Sequence, residues 1–300
     1  MSKVTVGLPK GIYYYYYGDI LKSFFSNLGI SVIVSPDTNR KTIDDGIKYA
    51  NDEMCLSLKI LLGHVNYLKD KCDYIIVPRI VNYGKKDQTC TNFLGFYDMI
   101  NNLFKIKIIT FDIDYQRKKT EKKAFIEMGK QLNFSDKQTL KAYHDAYLTC
   151  QKRLKKAIYQ NRENLKKDQI KVLLVAHPYN LYDRYIGQPI IDILKKQAVE
   201  IIYSDKFEKQ ITNKLASCYS KKLYWKYAKE NIGAIKLCLD QVDGIVFLTT
   251  FPCGIDSLVN ELVIRKINKP ALNLIIDDND SLTGIETRLE SFVDILEQAR

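Results

Sequence analysis

Apolar positions in the first 112 residues follow two alternating rhythms. Short, nearly continuous runs read as buried strands: Val4-Thr5-Val6-Gly7-Leu8, Ser31 to Ser35, Tyr74-Ile75-Ile76-Val77-Pro78 and Lys107 to Phe111. Longer stretches with helical spacing lie between them: Tyr13 to Leu28, Arg40 to Asn51, Leu56 to Lys71 and Phe93 to Phe104. Gly29 stands where a helix commonly ends in a left-handed residue. Asn82 to Asn92 reads as a loop. Strands separated by helices of this length predict parallel βαβ units.

From Arg117 to Lys167 the rhythm is helical and polar throughout, with two helices joined near Ser135, which can cap the second. The strand–helix alternation then restarts. Strands are predicted at Lys171 to Ala176, Glu200 to Ser204, Gly244 to Thr250 and Ala271 to Asp277. Helices are predicted at Tyr185 to Gln197, before Asp240, at Asp256 to Lys266 with Asp256 or Ser257 as its cap, and at Ile285 to Gln298. The pattern predicts an α/β protein of two doubly wound, flavodoxin- or Rossmann-like parallel-sheet domains with a cleft between them. Their expected bounds are 1–116 and 169–300, joined by a basic helical segment, 117–168. No fixed-period repeat of the solenoid kind is present.

Composition narrows the class. The 46% of hydrophobic residues suits a globular chain, and no run of 18 apolar residues exists, so a membrane partner is not expected. Met1-Ser2-Lys3-Val4-Thr5-Val6-Gly7 leads almost directly into a strand without a signal-peptide core, which points to a cytoplasmic protein. Seven scattered cysteines with no C-x-x-C then read as thiols or ligands rather than a disulfide framework. The net charge of +11 is local: Arg117 to Lys167 carries 15 Lys or Arg against 5 Asp or Glu. Such a run reads first as a solvated helical face, and a nucleic-acid partner is not expected. Lys122, Lys123, Arg153, Lys155 and Lys156 are its candidates for steering an acidic partner or phosphates.

In open α/β sheets, ligands sit beyond the carboxyl ends of strands, facing helix N-termini. Cys55, Cys90 and Cys253 fall at such places; Cys72, Cys150, Cys218 and Cys238 fall in or beside helices. Spacings of 35 and 163 residues match no zinc or ferredoxin signature, so residue chemistry alone leaves them open between ligands and small buried side chains. His64 reads as a packing histidine and the tyrosine run 13–17 as part core, part cleft wall. His177 and Asn180 follow a strand and are possible cleft residues. The glycines form neither G-x-G-x-x-G nor a P-loop, so a nucleotide site has no support in the sequence.

Several stretches, in order along nearly the whole chain, resemble one family. They are Gly11-Ile12-Tyr13-Tyr14-Tyr15-Tyr16-Tyr17, Asn51-Asp52-Glu53-Met54-Cys55-Leu56, Gly63-His64-Val65-Asn66-Tyr67-Leu68, Val77-Pro78-Arg79-Ile80-Val81 and Cys90-Thr91-Asn92-Phe93-Leu94-Gly95. Further on come His177-Pro178-Tyr179-Asn180-Leu181-Tyr182-Asp183, Leu223-Tyr224-Trp225, Phe251-Pro252-Cys253-Gly254-Ile255-Asp256-Ser257-Leu258-Val259 and Thr287-Arg288-Leu289-Glu290-Ser291-Phe292. The chain resembles the acyl-CoA dehydratase activase-related proteins, kin of the iron–sulfur subunits of 2-hydroxyacyl-CoA dehydratases and of double-cubane-cluster reductases.

The resemblance implies a 4Fe–4S cluster, single or bridged as a double cubane, held by Cys55, Cys90 and Cys253. It implies a low-potential electron taken from a separate ATP-dependent activator ATPase and passed to an acyl-CoA thioester or another small molecule. A second dehydratase-like subunit or a homodimer is an implied partner. The alternative is a non-enzymatic electron carrier, cluster scaffold or activase-docking module. The sequence departs from the family pattern at Thr91, Pro252 and Ile255. It also departs over Asp277-Asp278-Asn279-Asp280-Ser281-Leu282-Thr283-Gly284, so roles tied to those positions do not transfer.

Overall fold

The computed structural model describes residues 4–279 and 282–300, leaving Met1 to Lys3 and Asp280-Ser281 of the stretches above outside the described residues, together with the side chain of Leu282. Two compact units follow one another, Met1–Arg153 and Leu154–Arg300. The first runs β1 (Thr5–Leu8), α1 (Tyr14–Asn27), β2 (Ser31–Val34), α2 (Arg40–Ile47), α3 (Leu56–Leu68), β3 (Tyr74–Ile76), β4 (Arg79–Asn82), α4 (Thr91–Leu103), β5 (Ile108–Ile109), β6 (Asp112–Asp114), α5 (Glu121–Gln131) and most of α6 (Asp136–Leu165). The second unit takes the end of α6 and continues with β7 (Lys171–Val175), α7 (Pro178–Leu181), α8 (Gly187–Lys196), β8 (Glu200–Tyr203), α9 (Lys209–Leu215) and α10 (Lys226–Cys238). It closes with β9 (Gly244–Thr250), α11 (Gly254–Ile264), β10 (Ala271–Ile276) and α12 (Leu282–Gln298).

Each unit is built on a four-stranded, all-parallel sheet, ordered β2-β1-β3-β5 in the first and β10-β9-β7-β8 in the second. Both orders are those of a doubly wound, flavodoxin-like sheet. They place the topological switch between β1 and β3 in one unit and between β7 and β9 in the other. The basic segment forms no unit of its own. α5 and α6 carry it, and Phe125 of α5 packs its ring 5.0 Å from Phe24 and 5.9 Å from Phe111 in the first unit's core.

Local chemistry explains the element ends. Leu28 caps α1 with Gly29 beyond it at φ +73°; Gly29 N–H reaches Ser26 O and Ile30 N–H reaches Phe25 O, a complete Schellman closure. Ser135 accepts from Gln138 N–H at 3.3 Å while Gln138 Oε1 accepts from Ser135 N–H at 3.2 Å, so the expected cap is a capping box. α3 is buried at almost every position and runs through the core rather than along its surface. It crosses α2 backbone to backbone. A Cβ at Gly46 would lie 1.8 Å from Lys59 O, and one at Gly63 would lie 1.9 Å from Thr42 O.

Several features differ from expectation: α4 begins at Thr91 rather than Phe93, and the strand expected over Lys107 to Phe111 is limited to Ile108–Ile109. Pro78 ends β3, yet the chain resumes at once as β4, which pairs in parallel with β6 in a separate two-stranded sheet. Arg40 to Asn51 is helical only to Ile47. Among the described residues no helix is long and apolar enough to cross a membrane.

Candidate functional site

All three singled-out cysteines are helix N-caps in extended conformation: Cys55 for α3 (φ −62°, ψ 148°), Cys90 for α4 (φ −62°, ψ 151°) and Cys253 for α11 (φ −77°, ψ 96°). The N–H groups of a first helical turn have no intrahelical acceptor, and with the helix dipole they favour negative charge at that end. For α11 this corrects the expectation that Asp256 or Ser257 is the cap. The helix starts earlier, and Asp256 turns its carboxylate elsewhere.

Asn92, the second residue of α4, ties two of the sulfurs together. Its backbone N–H donates to Cys90 Sγ at 3.4 Å and its side-chain Nδ2 donates to Cys55 Sγ at 3.8 Å. Both cysteines are half-buried. Cys253 belongs to the second unit, and among the described residues no three His, Cys, Asp or Glu side chains are grouped as a metal site. The sulfur pair fits a thiolate-bound group: soft donors, N–H groups aimed at both, and partial access.

The other cysteines differ in kind. Cys238 Sγ donates to Ala234 O at 3.1 Å, and burial pushes its thiol up to about 12. Cys72 Sγ donates to Leu68 O at 3.3 Å, and burial raises the Cys72 and Cys150 thiols as well. Cys218 is exposed. Protonated thiols bonded to carbonyls are packing groups.

A second constellation lies at the switch point of the second unit. His177, the N-cap of α7 just past β7, places Nε2 3.0 Å from Asp256 Oδ1. Asp256 Oδ2 also accepts from Thr249 Oγ1, on β9, at 3.4 Å. His177 and Asp256 are each 7% exposed. Tyr179 stacks on the imidazole at 4.9 Å between centroids and 9° between planes, and Tyr227 meets it edge-on at 6.0 Å. Asn180 is buried on α7. An imidazole fixed by a carboxylate can hold or move a proton, and the rings restrict its rotation. Sequence reasoning found His177 and Asn180 but read Asp256 as a cap. The available signal was topological, since strands flanking a switch point bring their following turns together.

His64 is a packing residue, 1% exposed, with Nε2 3.1 Å from Thr38 Oγ1. Burial, and secondarily the Lys10 ammonium, holds its imidazole down at about 3. In the tyrosine run, Tyr13 is fully buried and donates to Ile76 O at 2.6 Å, and Tyr17 bonds the Tyr83 hydroxyl. Tyr14, Tyr15 and Tyr16 are half-buried.

Residues 5–207 match the family described as CoA enzyme activase uncharacterised domain (DUF2229). The chain belongs to that family. Within this CoA enzyme activase domain the match includes Cys55, Cys90 and His177 and stops short of Cys253 and Asp256. No curated protein matches it. Solved structures similar to it include the SBP FpvC from Pseudomonas aeruginosa in complex with Mn2+, 12% identical over 99% of this chain and 98% of that one, TM-score 0.30. Others are ZnuA (10%, 99% of each chain, TM-score 0.30) and a sugar transporter from Clostridium phytofermentans (10%, 99% and 94%, TM-score 0.21). Likenesses of this size carry no argument about the activase-family chain.

Proposed function

We propose that this protein is an iron–sulfur redox protein of the 2-hydroxyacyl-CoA dehydratase type, with Cys55, Cys90 and Cys253 as thiolate ligands of a 4Fe–4S cluster. The observation that carries this reading is the convergence of Cys55 and Cys90 on the two N–H donors of Asn92. Two sulfurs 35 residues apart share one residue's donors, as ligands of a single group do. Cys253 has the same helix-cap position in the other unit and supplies the third thiolate in this reading. When bound, the cluster would supply a low-potential electron, its potential set in part by hydrogen bonds to the sulfurs.

The chain's own residues have separate tasks. The cap cysteines hold the group, Asn92 orients two sulfurs, and the first-turn N–H groups offset negative charge. The His177–Asp256 pair holds one proton at the imidazole for a hydroxyl or carbonyl oxygen of the substrate. In this reading the substrate is an acyl-CoA thioester, in keeping with the family's CoA-enzyme description, and the electron comes from a separate ATP-driven activator in the cytoplasm.

Anaerobic purification with iron and sulfide quantitation and electron paramagnetic resonance tests the reading. The expected result is about four irons per chain in the native protein and in C150A and C238A, and a lost or degraded signal in C55A, C90A and C253A. A full iron complement in C253A overturns the ligand set. Turnover with activator, ATP and reductant then separates an enzyme from an electron carrier.

A further inference from the structure

The charge concentrated between Arg117 and Lys167 has no role in the thiol reading, and the structure gathers part of it in one place. Arg117, Lys118, Lys119, Lys123 and Lys130 all line a groove of about 620 Å³ between β6, the Tyr115–Arg117 turn and α5. We propose that this groove binds the phosphate or diphosphate group of a nucleotide-sized ligand. The inference stands independently of the cluster.

The acidic residues in the groove are committed. Asp112 pairs with Lys119 at 3.2 Å, while Glu127 and Asp136 flank Lys130 at 2.9 and 3.8 Å. Arg117 reaches Asp114 only at 3.6 Å. Lys118 and Lys123 make no side-chain hydrogen bond or ion pair among the described residues. The uncommitted charge facing the groove is therefore cationic, and a concave surface with a net positive balance attracts an anion. Flexible ammonium groups suit phosphate as point charges.

Lys118 is also held in an unusual conformation. Its φ is +58°, a left-handed geometry that lysine seldom adopts. Three backbone bonds fix it: Lys118 N–H to Tyr115 O at 3.1 Å, Lys119 N–H to Asp114 O at 2.8 Å and Asp114 N–H to Lys119 O at 2.9 Å. Three consecutive cations are thus presented from a clasped turn rather than from a frayed loop.

The groove continues into a smaller hollow of about 250 Å³ that shares Asp112, Arg117 and Lys119 and adds Arg79 and Leu94. Arg79 Nη2 bonds Asp98 at 2.6 Å, while its Nε is buried with no acceptor. Ala124, Ile126 and Leu94 supply apolar wall. These volumes lie in the small-molecule range, and mixed cationic and apolar lining suits a phosphate carrying an organic part.

Isothermal titration of the full chain with pyrophosphate and with adenosine 3′,5′-bisphosphate tests the site. Saturable 1:1 binding that weakens with salt is expected, tighter for the nucleotide. The K118N/K123A variant, which retains a side chain tolerant of the left-handed turn, is expected to weaken it at least tenfold. K155A/K156A, which removes equal charge outside the groove, should change it less than twofold. Absence of saturation at millimolar ligand overturns the site. Equal losses in the two variants also overturn it, by assigning binding to diffuse charge. Equal affinity for the two probes overturns the nucleotide-sized ligand.

Discussion

Acid should destabilise the first unit through His64. Its imidazole is 1% exposed and held at about 3, against an ordinary value of 6.5, chiefly by burial. Below pH 6.5 the unfolded chain binds a proton that the folded chain refuses. The neutral ring's contribution is therefore fully present above 6.5 and is lost as pH falls towards 3. Each pH unit in that window is worth about 1.4 kcal/mol, so moving from pH 6.5 to 4.5 costs roughly 2.7 kcal/mol. Against a typical domain stability of about 5–15 kcal/mol that is a large fraction. Glu121 works the other way: burial raises its carboxyl, so acid relieves a cost there. Comparing the native protein with H64Q cancels that opposing effect. Urea unfolding followed by circular dichroism at pH 7.0 and 4.5 should show the native protein losing about 2–3 kcal/mol more than the variant. Equal losses, or a His64 ring resonance titrating with a midpoint near 6.5, would refute the argument.

Glycine substitutions should separate sharply in thermal melts. G63A, facing Thr42 O at 1.9 Å, should cost about 3 kcal/mol or more, whereas G95A, in α4 with nothing within 4 Å of its Cβ, should be neutral or gain up to about 1 kcal/mol. D256A leaves the His177 imidazole and Thr249 hydroxyl without their carboxylate, and should cost the second unit about 1–3 kcal/mol by urea unfolding read from Trp225 fluorescence. A loss below about 0.5 kcal/mol would show that the pair contributes nothing to stability.

The alternation of strand and helix was legible because each parallel strand is buried on both faces and reads as an apolar run. β9 matched its expected span from Gly244 to Thr250. β4 and β6 were not legible, since Arg79–Asn82 and Asp112–Asp114 are short, partly polar and paired in a small sheet apart from the main one. The start of a helix at Cys55 could be placed locally, whereas Cys90 was read as a loop residue and α4 begins right after it; the meeting of both at Asn92 depends on how α3 and α4 approach. No local pattern encodes that approach. Asp256 shows the opposite failure: its local pattern indicated a cap, and a histidine 79 residues away took its carboxylate instead.

The glycine crossing of α2 and α3 has a consequence for how the site can change. Cys55 is the residue from which α3 starts, so its sulfur sits at the end of a rod whose distance from α2 is set by peptide groups in contact. Side chains can repack around a substitution, but a carbonyl against a glycine has nothing to yield. Any side chain at 46 or 63 must push the rod aside, and the displacement arrives at position 55. Drift at two interior glycines is thus coupled to the placement of a thiol, and a lineage that lost either one would lose the register between Cys55 and Asn92 before it lost the fold.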